Sequence, residues 1–224
     1  GYFFISPAEG RLACGDVGEG KLAGLDDILQ AISGYFSRKQ DLKGIRVLVT
    51  AGPTREYLDP VRFISNPSTG KMGFAIAAAC AGRGADVDLV AGPVNLSPPI
   101  NVNMHSVETA RDMYDKVMEL YPACDIVFKT AAVGDYRPET YHDQKIKKGS
   151  SQLVLTLVKN PDILQELGKR KKEQILVGFA AETQNVAEYA REKMQQKNLD
   201  FILANDITES GAGFMNDTNK GVLI

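Results

Sequence analysis

An apolar, β-branched run that ends in a Gly-Pro-Thr turn constrains the fold of this chain more than any other feature. The run covers residues 47–51, and a polar loop after the turn leads to a small-residue helix that begins near Gly73. The strand end, the loop and the helix N-terminus therefore meet at one crevice, where an open α/β sheet binds phosphorylated ligands. The loop has neither the glycines of the dinucleotide fingerprint nor those of a P-loop.

Strand-like and helix-like segments alternate along the rest of the chain. We predict strands at 45–50, 85–91, 101–106, 125–131, 175–180 and 199–204, and helices at 73–83, 108–120, 161–168 and 186–196. Because such alternation builds βαβ units, it predicts an α/β fold with a doubly wound, mostly parallel, Rossmann-like sheet. Residues 145–158 interrupt the rhythm and are interpreted as an inserted β flap. Residues 211–224 are interpreted as part of a hairpin.

Composition excludes several classes of partner. The 224 residues carry 26 basic and 28 acidic side chains, so no broad basic face indicates binding to nucleic acid or to a membrane. Cys14, Cys80 and Cys124 are too widely spaced for a disulfide framework or a zinc site. The N-terminus shows no signal-peptide pattern, and no apolar stretch reaches the roughly 20 residues of a membrane span. We therefore expect a cytoplasmic protein.

Five polar or glycine residues surround the predicted helix N-terminus, namely Gly52, Asn66, Ser68, Thr69 and Gly70. Their amides and hydroxyls, together with the helix macrodipole, can accept a polyphosphate without a net positive protein. The same residues would also serve an ordinary tight turn with a helix cap. The residues alone leave these two interpretations open.

Three further segments carry candidate chemistry. Asp135 follows an apolar strand, where it can orient a nucleotide, help to hold Mg²⁺, or simply cap a turn. Lys145, Lys147 and Lys148 lie at the start of the flap, either as a solvated face or as ammonium groups that close over a triphosphate. Phe179 ends another strand and belongs either to a base-binding loop or to the core.

Together, the motifs at residues 47–73, 131–137, 145–148 and 178–183 resemble the phosphopantothenoylcysteine synthetase family of coenzyme A biosynthesis. The resemblance implies a ligase that activates 4′-phosphopantothenate with a nucleoside triphosphate and then joins it to L-cysteine. It also implies Mg²⁺ as cofactor and a homodimer. Bacterial members use CTP and eukaryotic members use ATP.

The resemblance assigns roles by position. Asn66 would contact the acyl substrate, Arg62 would reach a substrate phosphate across the dimer interface, and Lys145 would be the essential flap lysine. Asn66 and Lys145 are thus the candidate catalytic residues. The expected nucleotide-binding residues are Gly52, Ser68, Gly70, Asp135, Lys145 and Phe179, and the expected substrate-binding residues are Arg62, Asn66, Ala131 and Ala132.

Residues 10–20 resemble the substrate clamp of phosphopantothenoylcysteine decarboxylase, the flavin enzyme fused ahead of the synthetase in most bacteria. Cys14 matches its proton donor. We therefore predict that residues 1–40 are the tail of a preceding decarboxylase domain plus a linker, and that residues 41–224 are a C-terminally truncated ligase domain. FMN would belong only to the missing decarboxylase domain. The fused clamp indicates a bacterial protein and hence CTP.

Two other classes of function compete with this interpretation. One is a nicotinamide-dependent oxidoreductase on a doubly wound sheet, against which the missing glycine fingerprint counts. The other is a non-catalytic nucleotide-binding module, in which the polar loops serve only structure.

Overall fold

The computed structural model describes residues 4–11, 16–36, 39–147, 152–182, 186–206 and 221–224. They fall into two units, residues 1–41 and residues 42–224. In the first unit, strand β1 (Ala8–Arg11) pairs antiparallel with strand β2 (Val17–Lys21), and helix α1 (Leu25–Phe36) follows. Cys14 lies outside the described residues, so its predicted place in a clamp stays a prediction.

The second unit contains the alternating elements that the sequence predicts. Its strands are β3 (Arg46–Ala51), β4 (Arg55–Tyr57), β5 (Phe63–Ser65), β6 (Asp86–Ala91), β7 (Val102–Ser106), β8 (Ile126–Lys129), β9 (Tyr136–Pro138), β10 (Leu157–Lys159), β11 (Ile175–Glu182), β12 (Phe201–Asp206) and β13 (Val222–Leu223). Its helices are α2 (Lys71–Gly82), α3 (Ala110–Leu120), α4 (Ile163–Arg170) and α5 (Val186–Gln196).

Among the described residues, seven of these strands form one sheet in the order β13-β12-β11-β8-β3-β6-β7. All neighbouring pairs are parallel except β12 and β13, which are antiparallel. The chain runs from β3 towards β7 on one side and from β8 towards β12 on the other. The strand order therefore switches between β3 and β8, which is where such sheets bind ligands at their carboxyl ends. The predicted fold class is confirmed.

Helices cover both faces of the sheet, and alternate residues of β3 divide between them. Val47 and Val49 pack with Phe74 and Ala77 of α2 on one face. Leu48 packs on the other face, in the cluster built from α3, α4 and α5. Because both faces are buried, β3 reads in the sequence as an unbroken apolar run rather than as an alternating one.

Two predicted segments differ from the structure. The supposed polar loop after residue 54 contains a hairpin of β4 and β5, closed by the Asp59 carboxylate, which accepts hydrogen bonds from the backbone N–H groups of Val61 and Arg62. In the flap, residues 153–156 are not a strand, and β10, paired antiparallel with β9, is the strand found among its described residues. Residues 207–220 lie outside the described residues, although β13 does pair with β12.

Candidate active site

A cleft of about 1120 Å³ opens at the carboxyl ends of β3 and β8, where the strand order switches. Seven of the residues that the sequence predicts for nucleotide or substrate binding line it, namely Gly52, Ser68, Gly70, Ala131, Ala132, Asp135 and Phe179. Segments that are more than 120 positions apart in the sequence thus meet at one cavity, as the predicted parallel sheet requires.

The N-terminus of α2 forms one wall of the cleft. Gly52 and Gly70 both adopt left-handed backbone angles, with φ of 76° and 80°. A Cβ atom on Gly70 would lie 3.4 Å from the Cα atom of Gly52, so the two backbones approach closely. The N-cap residue of α2 is Gly70, which has no side chain to cap the helix. The positive end of its macrodipole therefore faces the cavity, which favours an anionic ligand.

Backbone hydrogen bonds fix the opposite wall, after β8. The N–H groups of Ala131 and Gly134 donate to the hydroxyls of Thr50 and Thr54, at 3.2 and 3.0 Å. Asn66 donates from Nδ2 to the carbonyl oxygens of Ala132 and Val133, at 3.1 and 3.3 Å. Asn66 is therefore held beside the predicted substrate wall, although it does not itself line the cavity.

Asn160, which lies just before α4, holds the loop that carries Asp135 in place. The backbone N–H of Asn160 donates to the Asp135 carbonyl oxygen at 2.8 Å. Its side-chain Nδ2 donates to the Gly134 carbonyl oxygen, also at 2.8 Å. The Asp135 side chain is exposed at the cleft and remains available to a ligand.

Lysines that sequence reasoning missed line the side of the cleft nearest α4 and α5. They include Lys129 at the end of β8, Lys193 on α5 and Lys197 just beyond it. Lys197 forms an ion pair with Asp162 at 2.8 Å, and Lys193 donates to the Phe179 carbonyl oxygen at 3.4 Å. Lys193 and Lys197 are four residues apart, on the side of α5 that carries the buried Ala190. This spacing was the signal in the sequence that could have identified them as cleft residues.

Lys129 differs from an ordinary surface lysine. Its ammonium donates to the Ala131 carbonyl oxygen at 3.0 Å. Burial, reinforced by the nearby charges of Lys193 and Lys197, lowers the pKa of Lys129 to about 8, against the opposing influence of Asp162 and Asp135. An anionic ligand would favour the charged form of this amine, since it would add to the negative charge of Asp162 and Asp135.

Arg62 and Lys145 do not line the cleft. Arg62 instead forms an ion pair with the buried Asp59, with 2.6 Å between Nη2 and Oδ2, and donates to the Ile146 carbonyl oxygen at 2.6 Å. Lys145 and Lys147 are exposed at the start of the flap, and Lys148 lies outside the described residues. The predicted roles of these residues remain predictions.

The carboxylates of the cleft would suit Mg²⁺ only together with oxygen ligands from a bound substrate. Across the described part of the chain, no group of three or more His, Cys, Asp or Glu residues could hold a metal by itself. Mg²⁺ in nucleotide sites is usually held by one or two carboxylates plus substrate phosphates. Asp135 is positioned to supply one such carboxylate.

Comparison with known proteins identifies the fold family. Residues 42–224 match the family described as the DNA/pantothenate metabolism flavoprotein C-terminal domain. The chain belongs to this family. A crystal structure of the C-terminal domain of coenzyme A biosynthesis bifunctional protein CoaBC is 49% identical, with a TM-score of 0.68, and the match covers 75% of this chain and 80% of that one.

Full-length relatives extend the similarity over nearly the whole sequence. The chain is 51% identical over 222 residues to the coenzyme A biosynthesis bifunctional protein CoaBC of Bacillus subtilis, a match that covers 98% of this chain and 55% of the relative. It is 50% identical over 220 residues to the CoaBC of Haemophilus influenzae, with the same coverage of 98% and 55%. The chain thus spans about half the length of these relatives. The predicted resemblance to the bifunctional protein is confirmed.

No helix in the described part of the chain combines the length and apolar character that crossing a bilayer would demand.

Proposed function

We propose that this chain is a phosphopantothenate–cysteine ligase that uses CTP. The observation that carries the proposal is the cleft at the switch point, which brings the α2 N-terminus together with Lys129, Lys193 and Lys197. This arrangement suits a polyanion held between a helix dipole and fixed cations. The family and the CoaBC relatives direct the choice towards coenzyme A biosynthesis.

In the first step, a carboxylate oxygen of 4′-phosphopantothenate attacks the α-phosphorus of CTP. The bond to the bridging oxygen breaks, and pyrophosphate leaves with the electron pair. A carboxylate is a poor acyl donor, whereas the resulting acyl-cytidylate is a good one. The lysines of the cleft hold the phosphates, and Lys145 approaches from the flap to stabilise the charge on the departing pyrophosphate. Mg²⁺ bound with the nucleotide would supply further neutralisation.

In the second step, the amine of L-cysteine attacks the acyl carbon. The bond between that carbon and the phosphate oxygen breaks, CMP leaves and the amine loses a proton. Asn66 is the residue we place at the acyl group, because its amide is held by Ala132 and Val133 at the substrate wall. Fixed geometry at this wall accounts for much of the expected acceleration, since well-oriented reactants avoid a large entropic cost.

We also propose that the ligase is a cytoplasmic homodimer. The hairpin of β4 and β5 exposes three apolar side chains, with Val61, Phe63 and Ile64 at 56%, 42% and 37% exposure. Several large apolar side chains exposed on one hairpin are a common feature of surfaces that a partner covers. A second copy at this hairpin would lie near Arg62, which fits the role that the family resemblance assigns to that arginine.

The proposal is tested by measuring the pyrophosphate that the 224-residue chain releases from CTP. Release should require CTP and phosphopantothenate together, and addition of cysteine should yield CMP and the amide. Calorimetric titration with CTP provides a second measurement that does not depend on turnover. Release without phosphopantothenate, or no binding of CTP, would contradict the proposal. Binding of CTP without any acyl-cytidylate would instead favour the non-catalytic nucleotide-binding module.

A further inference from the structure

The turn between β4 and β5 holds the start of the flap. Asp59 is fully buried, at 0% exposure, and its two oxygens serve different partners. Oδ1 closes the turn by accepting the N–H groups of Val61 and Arg62, both at 2.9 Å. Oδ2 accepts the N–H of Ile146 at 3.1 Å and the Arg62 side chain at 2.9 and 2.6 Å. One oxygen thus shapes the hairpin, while the other reaches the flap.

Arg62 fixes the other backbone polar group of Ile146, its carbonyl oxygen. Its Nη2 donates to the Ile146 carbonyl oxygen at 2.6 Å while it pairs with Asp59. Both backbone polar groups of Ile146 are therefore fixed by charged partners, and such hydrogen bonds are about twice as strong as neutral ones. A second anchor lies four residues earlier, where the His142 N–H donates to the Leu58 carbonyl oxygen at 2.9 Å.

We infer that Asp59 is a positioning residue for Lys145, which it places through the backbone of the adjacent Ile146. The inference rests on the proposed function, in which Lys145 acts on the departing pyrophosphate. Lys145 is exposed, and its Cα atom lies one peptide bond from the fixed residue. The root of the lysine side chain is thereby held in place while its ammonium group remains free to reach the phosphates.

This arrangement requires the Asp59 side chain to be ionised, with both oxygens able to accept hydrogen bonds. Burial by itself would raise the pKa of Asp59, but hydrogen bonds from Ile146, Val61 and Arg62 outweigh it and hold that pKa well below its usual range. An asparagine would keep one oxygen for the two N–H groups of the turn. Its amide nitrogen would then face the Ile146 N–H and the Arg62 guanidinium, donor against donor. Asp59→Asn should therefore preserve the hairpin and release the flap.

The experiment measures acyl-cytidylate formation in single turnovers of wild type, Asp59→Asn, Lys145→Gln and the double variant. We expect Asp59→Asn to slow this step by roughly tenfold or more, since misplacement by about 1 Å can cost as much as 10²-fold. The dissociation constant for CTP should change less than about twofold, because Asp59 does not line the cleft. The double variant should be no slower than Lys145→Gln alone.

Asp143→Asn is the matched control, because it removes an exposed carboxylate three positions from Ile146 and should leave the rate unchanged. Hydrogen exchange at the Ile146 amide, read in the same variants, should lose protection in Asp59→Asn only. If that variant does not fold, Asp59→Ser is used instead, since a serine hydroxyl closes the same type of turn without reaching the flap.

Two results would overturn the inference, namely effects of Asp59→Asn and Lys145→Gln that multiply in the double variant, or unchanged protection of Ile146. Absence of turnover in the wild type would instead contradict the proposed function, and the exchange measurement would then decide whether Asp59 positions the flap.

Discussion

Titration of Lys129 should weaken nucleotide binding as pH rises, and the size of the effect follows from the structure. The pKa of Lys129 is lowered from 10.5 to about 8. At about 1.4 kcal/mol per unit, holding the charged form in the empty cleft costs on the order of 3 kcal/mol. For the apo protein, this cost is present below about pH 8 and disappears as pH rises towards 10.5, because the neutral amine suits the buried site.

A bound triphosphate reverses this preference, because its negative charge favours the ammonium form. At pH 9, Lys129 is neutral in about nine out of ten molecules of the apo protein. If binding restores an ordinary lysine pKa, these molecules must take up a proton when they bind CTP. The affinity for CTP should then fall roughly tenfold between pH 7 and pH 9, equivalent to about 1.4 kcal/mol. Burial, together with the charges of Lys193, Asp162, Lys197 and Asp135, sets the starting pKa of Lys129 in the apo protein.

The assay is calorimetric titration with CTP at both pH values, in two buffers of different ionisation enthalpy, so that bound protons are counted directly. Lys129→Met should bind more weakly at pH 7 and lose both the proton uptake and most of the pH dependence. Lys169→Met is the control, because Lys169 is an exposed residue in the last turn of α4 and does not line the cleft. Equal pH dependence in wild type and Lys129→Met would refute the reasoning.

Four further predictions concern other parts of the account. Lys145→Gln should slow acyl-cytidylate formation by roughly 10²-fold, as expected when one electrostatic donor is lost, and wild-type rates in rapid quench would contradict its role. Gly73→Ala should lower the free energy of unfolding by about 1–3 kcal/mol in urea, because its Cβ would lie 2.5 Å from the Ala51 Cβ atom. Val61→Glu should convert a dimer into monomers by light scattering, and a monomeric wild type that turns over would remove the dimer from the proposal. Cys14→Ser should leave amide formation unchanged, and a large loss would show that the N-terminal segment contributes to the ligase.

The sheet was predictable because its central strands are largely buried on both faces. Runs such as residues 47–51 and 86–91 leave no alternative to parallel strands between helices, and their carboxyl ends then gather Gly52, Ala131 and Phe179 at one edge. The cleft residues that follow strand ends were accordingly found from the sequence alone.

The hairpin of β4 and β5 escaped prediction because its stability comes from a contact that local pattern does not encode. Glu56, at 3% exposure, is buried where its carboxylate accepts the N–H of Ala110 at the start of α3, 54 positions away. From sequence alone, a short segment that contains a charged residue is expected to be an exposed loop. Only the assembled fold brings a partner to it.

Lys129, Lys193 and Lys197 escaped prediction for a related reason. From sequence alone, a lysine at the end of an apolar strand is expected to be solvated, and lysines on a helix are expected to lie on its solvent-exposed face. The inward placement of Lys193 and Lys197 depends on how α5 packs against β11 and β12, which fixes the register of the helix on the sheet. That register is a tertiary property, so the spacing of the two lysines becomes informative only once the buried side of α5 is known.

Following the fate of a labelled oxygen tests the central claim most directly. Phosphopantothenate with ¹⁸O in its carboxylate would be supplied to the chain with CTP and cysteine, and the products analysed by mass spectrometry. If the carboxylate attacks the α-phosphorus and the amine then breaks the acyl carbon–oxygen bond, one labelled oxygen must appear in CMP and none in pyrophosphate. Amide formation with unlabelled CMP, or with label in inorganic phosphate or pyrophosphate, would contradict the acyl-cytidylate.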